Sequence, residues 1–163
     1  GRRLSAVLKE PVRPGLGPDT LLFGIGNCGR QDDGLGWAFL DRIQNEDGFD
    51  AAVEYRYQLQ VEDAAEIARM RRVIFIDACQ GDLPGGFRWY PCEASEHFEF
   101  TSHVLPPRGV MHYCKTLFDR APRADILMIQ GRAWALSSGM SADARKNLDG
   151  AVRFFRNEVM ADG

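Results

Sequence analysis

No stretch of this 163-residue chain approaches the roughly 18 consecutive apolar residues of a membrane-crossing helix. Its four cysteines, Cys28, Cys79, Cys92 and Cys114, form no C-x-x-C pair, so neither a zinc knuckle nor a thioredoxin-type dithiol is indicated. Scattered in this way they read as reduced thiols of a cytoplasmic protein. Positive charge is in short supply: 20 Lys and Arg against 23 Asp and Glu give a formal net charge of −3. No basic cluster is interleaved with aromatics, so neither nucleic acid nor an acidic membrane surface is an expected partner. There is no G-x-S-x-G elbow, which removes the sequence signature of a serine hydrolase. Residues 1–19 hold two arginines at their start but no apolar h-region, so they do not read as a secretory signal. Their prolines and glycines predict an irregular extension, followed by a single domain over 20–163.

What is present is an alternation of buried-strand and helix patterns. Leu21–Ile25 and Val73–Ile76 are fully apolar runs, the second closing on Asp77, and Ile126–Ile129 is a third. Val53 to Leu59 alternates, with Val53, Tyr55, Tyr57 and Leu59 on one side, which predicts a half-buried strand. Leu35, Ala38, Phe39 and Ile43 mark one helical face, and Ala64, Ile67 and Ala68 another. Val110, Met111, Cys114, Leu117 and Phe118 mark a third, entered through Pro107. A long last helix, capped by Ser141, is lined by Ala144, Leu148, Ala151, Val152, Phe155 and Val159. "LPGGFRWYP" predicts a turn and an antiparallel edge strand. Strands alternating with helices predict an α/β fold: a three-layer α/β/α sandwich around a small, mostly parallel mixed sheet.

In such sheets ligands bind beyond the carboxyl ends of the strands, at a topological switch. That rule selects Asn27–Asp33 after the first strand, Asp77 at the end of "VIFID", and His103 in the irregular "TSHVLPP". Gly24-Ile25-Gly26-Asn27-Cys28-Gly29 has the spacing of a dinucleotide loop. Asp32 and Asp33 argue against that use. Two anions ~4–6 Å from two phosphates in a partly desolvated cleft cost more than a few amide hydrogen bonds return. Asp33, Asp77 and His103 together make an O, O, N set suited to a divalent transition metal with open coordination positions. Asp32, adjacent to Asp33, is not expected to face the same ion and is a candidate helix cap. From residue types alone a plainer reading stands beside this one: a cap, a loop-organising acid and a surface histidine. Cys79 follows Asp77 into the same region, but neighbouring carboxylates disfavour its thiolate. Asn27 and the amides of residues 24–29 are candidate oxyanion donors, with Asn27 equally a turn-former.

"GIGNCGRQDDGLG", "VIFIDAC", "SHVLPPRGVMHYC" and "SSGMSADARKNLDGAVRFF" occur in the order of, and resemble, the motifs of the maturation endopeptidases of [NiFe] hydrogenases. The resemblance runs over roughly residues 20–160. It implies a phosphorylase/hydrolase-like α/β/α domain and a hydrolase, an endopeptidase described as aspartic-type, that removes the C-terminal extension of a hydrogenase large-subunit precursor. It places the family's metal-contacting and catalytic acids on Asp33 and Asp77 and its histidine on His103. It implies nickel as the recognised ion, carried by the nickel-loaded precursor rather than held by the free enzyme, and cleavage after nickel insertion. Gln58-Leu59-Gln60-Val61-Glu62 is similar to a Gln-Leu-x-x-Glu subset of that family. A non-catalytic nickel-site sensor on the same fold, and a nucleotide-binding module, are the alternatives.

Overall fold

The computed structural model describes residues 16–98 and 104–161. The apolar runs form strands β1 (Thr20–Ile25), β3 (Arg72–Cys79) and β5 (Arg123–Gln130), with β2 (Ala52–Arg56) and β4 (Phe87–Pro91) outside them. Helices α1 (Leu35–Ile43), α2 (Asp63–Ala68), α3 (Pro107–Phe118) and α4 (Ala142–Phe154) fall between and after the strands. The strands make one five-stranded sheet in the order β2-β1-β3-β5-β4. Pairing is parallel except between β4 and β5, as expected of the "FRWYP" segment. Residues on one face of the sheet, among them Leu22, Ile74, Ile76, Leu127 and Ile129, pack against α1 and α4. The alternate residues, including Phe23, Phe75 and Ile126, pack against α2 and α3. This is the expected three-layer α/β arrangement.

Each helix follows from its periodic apolar face. Phe39 of α1 meets Phe155 edge-on, with ring centroids 5.2 Å apart. Truncating a fully buried aromatic of this kind costs about 3–5 kcal/mol. The Ser141 hydroxyl accepts from the Ala144 amide at 3.1 Å and caps α4, as its sequence position predicts. Beyond Phe154 the helix widens into a π-helical turn over Phe155–Met160, which keeps Phe155, Val159 and Met160 on the core.

Two features differ from the sequence reading. β2 ends at Arg56 rather than running to Leu59. Val53 and Tyr55 join the α1/α4 core, Tyr57 is 69% exposed, and Leu59 crosses to the α2/α3 core through an antiparallel bridge to Leu105. The alternation was real for the strand and fortuitous beyond it. Leu16, within the stretch read as an extension, is buried in the α1/α4 core, and a turn at Gly17 leads from it into β1. Residues 1–15 lie outside the described residues. Among the described residues, no helix is long and apolar enough to cross a membrane.

Candidate active site

The chain passes from β1 to β2 on one side and then crosses to β3 on the other, so the carboxyl ends of β1 and β3 form the switch point. Gly24 pairs with Ile76 there, which sets Ile25 beside Asp77. The glycines of the first loop serve this junction sterically. A Cβ on Gly36 would lie 2.6 Å from the backbone oxygens of both Ile25 and Ile76, so only glycine lets α1 sit this close to both strand ends. A Cβ on Gly26 would fall 2.0 Å from the Asp33 carbonyl oxygen. Of the glycines in the dinucleotide-like spacing, Gly24 packs against Leu40 and the Gly36 carbonyl of α1, and Gly26 against the Asp33 carbonyl.

The adjacent acids Asp32 and Asp33 leave the loop in different environments. Gln31 adopts a left-handed backbone (φ 51°) and opens a tight turn over Gln31–Gly34. The turn is held from outside: the Gln31 amide donates to the Ser137 carbonyl (3.0 Å), and the Ala135 amide donates to Gln31 Oε1 (2.8 Å). Asp32 is fully buried. It does not cap α1, contrary to the sequence expectation. Its carboxylate accepts from the amides of Arg132 (2.7 Å), Ala133 (2.8 Å) and Ser141 (2.8 Å) and from the Ser141 hydroxyl (2.6 Å). Burial alone pushes its pKa up, but these donors, the Ser141 hydroxyl foremost, outweigh it and hold the group below the usual carboxylate range. Asp32 thus clamps the first loop to the β5–α4 connection as a permanent anion. No local signal identifies this role, because its partners lie about a hundred residues downstream.

Asp33 is only partly buried. Desolvation raises its pKa, opposed by the Asn27 amide and the Arg30 charge. Asp77, at the end of β3, is pushed up to about 7, chiefly by burial and further by the Asp33 charge, against the stabilising bond from the Ala78 amide (2.8 Å). Two of the three sequence-selected residues are therefore brought within electrostatic reach of each other. Neither forms an ion pair with a described Lys or Arg. The third, His103, lies outside the described residues. The Leu59–Leu105 bridge brings the chain just after it to the same edge of the sheet. Among the described residues no group of three or more His, Cys, Asp and Glu is placed to hold a metal ion.

Other candidates resolve differently. Asn27 is a turn-former: its side-chain oxygen accepts from the Gly29 amide (2.8 Å). The Gly26 and Asn27 amides donate to the Arg56 and Asp33 carbonyls (2.9 and 3.0 Å). The amides of residues 26, 27 and 29 are thus already committed, which argues against an oxyanion role for them. The Cys79 thiol is pushed up by burial and by the Asp77 charge, with a backbone hydrogen bond at Gly81 opposing, so it is not an activated thiolate.

The surroundings are open and apolar. A cleft of about 660 Å³ between α1 and α4 begins at Cys28 and Gly34, yet neither Asp33 nor Asp77 lines it. Around the edge that carries the two acids stand Leu136 (78% exposed), Tyr57, Val61 and Val104. Tyr57 rests on Trp37 with ring centroids 5.2 Å apart, and Trp37 is fixed by its Nε1 donating to the Arg56 carbonyl (3.0 Å). The sequence reading missed this rim. Its signal is apolar residues isolated in the segments that follow β2 and β5.

No protein-family model matches the sequence, and no curated protein matches it either. Solved structures do match in three dimensions. Hydrogenase maturating endopeptidase HybD from E. coli superposes with a TM-score of 0.65 at 14% identity, covering 85% of this chain and 92% of that one. The [NiFe] hydrogenase maturation protease HycI from Thermococcus kodakarensis KOD1 does so at 0.62 and 20%, over 88% of this chain and 91% of that one. For HybD from Thermococcus kodakarensis the values are 0.58 and 21%, over 85% and 97%. At these identities the likeness establishes the fold. The chain has the α/β architecture of the solved hydrogenase maturation endopeptidases over most of its length.

Proposed function

We propose that the protein is an endopeptidase of hydrogenase maturation, which removes the C-terminal extension of a [NiFe] hydrogenase large-subunit precursor once nickel is in place. The observation that carries this reading is the carboxylate pair. Asp33 and Asp77 are desolvated and the Asp33 charge bears on Asp77; neither makes a salt bridge with a described Lys or Arg, the Arg30 charge only partly offsetting the desolvation of Asp33. Such a pair favours either a proton or a cation between its members. With His103 it offers the O, O, N donor set for an ion already held by another molecule. The pair lies at an open edge with an apolar rim, which suits a folded precursor better than a small ligand. Fold likeness to proteins named as hydrogenase maturation endopeptidases supports the same reading.

In this scheme Asp33, Asp77 and His103 complete the coordination of nickel carried by the precursor and anchor the scissile peptide beside the first loop. Bound nickel supplies a Lewis acid near the scissile carbonyl. The chain supplies proton transfer. One of the two carboxylates, through an oxygen not on the metal, takes a proton from the attacking water and returns it to the leaving amine. Asp32 does neither; it fixes the loop that presents Asp33. The protein acts as a single domain, with Leu16 packed into its core, and works in the cytoplasm.

Incubation of the purified chain with large-subunit precursor, with and without nickel, tests the proposal by intact mass. Expected is loss of the extension only from nickel-loaded precursor, and none with Asp33→Asn, Asp77→Asn or His103→Ala. Full cleavage by any of these folded variants refutes the assignment. A nickel-loaded precursor left whole by the wild-type chain refutes the function.

A further inference from the structure

The opposite, N-terminal edge of the sheet carries a concentration of charge that the proposed reaction does not use. A cleft of about 470 Å³ there is lined by Arg69, Arg71, Arg120 and Arg123, with Asp19 the one carboxylate among its lining residues. These arginines come from the end of α2, the entry to β3 and the α3–β5 connection. The chain as a whole carries −3, so this edge inverts the overall sign.

Internal neutralisation is incomplete. Asp19 pairs with Arg71 Nε (3.2 Å), while Asp125 is shared between the buried Arg72 (3.1 Å) and Arg123 (3.3 Å). One Arg69 amine donates to the Ala65 carbonyl of its own helix (3.3 Å). Arg120 makes no hydrogen bond or ion pair with another described residue. Burial lowers the pKa of Arg72, and the Arg123 and Arg71 charges lower it further against the Asp125 partnership, as crowding of like charge requires. Basic residues often sit at helix C-termini to offset the dipole, and Arg69 and Arg120 do sit there. Each terminus, however, carries only about half a charge. Arg71 and Arg123 lie at strand starts, where no such dipole exists.

We propose that this cleft binds a polyphosphate-class anion, a chain of two or more phosphate groups. Guanidinium forks match tetrahedral oxyanions in a bidentate way. Arg71 is held by Asp19, the Leu16 carbonyl and the Thr20 hydroxyl, so Arg120, Arg69 and the outer side of Arg123 would meet the ligand, and the five guanidiniums here, Arg72 included, outnumber Asp19 and Asp125 by more charge than a single phosphate balances. A volume of about 470 Å³ is likewise that of a site for a larger ligand than one phosphate. Inorganic polyphosphate and the phosphate tail of a nucleoside triphosphate share this chemistry.

The test is calorimetry and amide NMR on the full chain with phosphate, pyrophosphate, tripolyphosphate and ATP. Ionic strength is held constant with KCl, because general screening by salt weakens exposed charge contacts. Expected is saturable binding that tightens from phosphate to tripolyphosphate and shifts amides of residues 69–72 and 119–123, leaving 26–34 unmoved. Tighter binding of ATP than of tripolyphosphate identifies a nucleotide as the source, and the reverse identifies inorganic polyphosphate. Arg120→Ala should weaken binding by about tenfold, the loss of one charged hydrogen-bond partner. The melting temperature should hold, because Arg120 is exposed and unpartnered among the described residues. Absence of saturable binding at constant ionic strength overturns the proposal, as does unchanged affinity in the Arg120→Ala, Arg123→Ala double variant.

Discussion

Replacing Asp77 with asparagine removes one negative charge from the switch-point edge and keeps a side-chain oxygen for the Ala78 amide that bonds it at 2.8 Å. The folded carboxyl titrates at about 7 against an ordinary value of 3.8. A carboxyl whose folded pKa is raised binds its proton more tightly folded than unfolded. Stability therefore falls as pH rises between those two values and is flat above the upper one. From pH 5 to pH 8 the loss accrues over the two units below about 7, at about 1.36 kcal/mol per unit, giving about 2–3 kcal/mol. Asparagine does not titrate and escapes this loss. The stability gap between variant and wild type should thus widen in favour of the variant by that amount. For a domain of this size the gap corresponds to about 4–10 °C in melting temperature. Thermal unfolding of both proteins in chelator at pH 5, 6, 7 and 8 measures it. A gap that stays constant or narrows as pH rises refutes the argument that Asp77 is a strained, desolvated acid. The same variant should leave nickel-loaded precursor uncut, so that stability rises as function is lost.

Asp33→Asn should leave the melting temperature within a few degrees and lower the Asp77 pKa, since the Asp33 charge is one cause of its elevation; carboxyl carbon NMR titration reads the shift. Asp32→Asn should instead destabilise by about 3 kcal/mol or more, because an amide nitrogen would face donors that now meet a buried anion; denaturant melts check this. Gly36→Ala should cost at least about 2 kcal/mol and abolish activity, because its Cβ meets backbone oxygens of two strands rather than a side chain that can turn away. Tyr57→Ser with Leu136→Ser should raise KM for the folded precursor with kcat and melting temperature preserved, if the exposed rim is where the precursor docks.

The layered fold was legible because periodicity reports burial directly. Leu21–Ile25 and Val73–Ile76 sit at the centre of the sheet, buried on both faces, and have no polar positions to mislead. The "VEYRYQL" alternation overran its strand because β2 is an edge and the pattern continued into residues that β1 no longer pairs. The proximity of Asp33 and Asp77 was legible through topology: once strands are parallel, residues just past their carboxyl ends meet at the switch point. Asp32 was misassigned because a local rule, the helix cap, was applied to a residue whose partners are all non-local. His103 was selected by the same topology, and lies outside the described residues.

The contrast between Asp32 and Asp33 argues against treating the doublet as one functional unit. Both follow the same turn, and both lose water. Asp32 recovers the lost hydration from three amides and a hydroxyl, so its charge is stable and its removal should cost folding energy. Asp33 recovers only part of it and faces another acid, so its charge is held at a cost that an arriving cation would relieve. A folded domain gains nothing from two desolvated acids repelling at an open edge. The repulsion is relieved by a proton on Asp77 or by a cation delivered from outside. Under the proposed function, the metal carried by the precursor is that cation. Nickel presented on the precursor should abolish the Asp77 titration near pH 7, whereas precursor without metal should leave it in place.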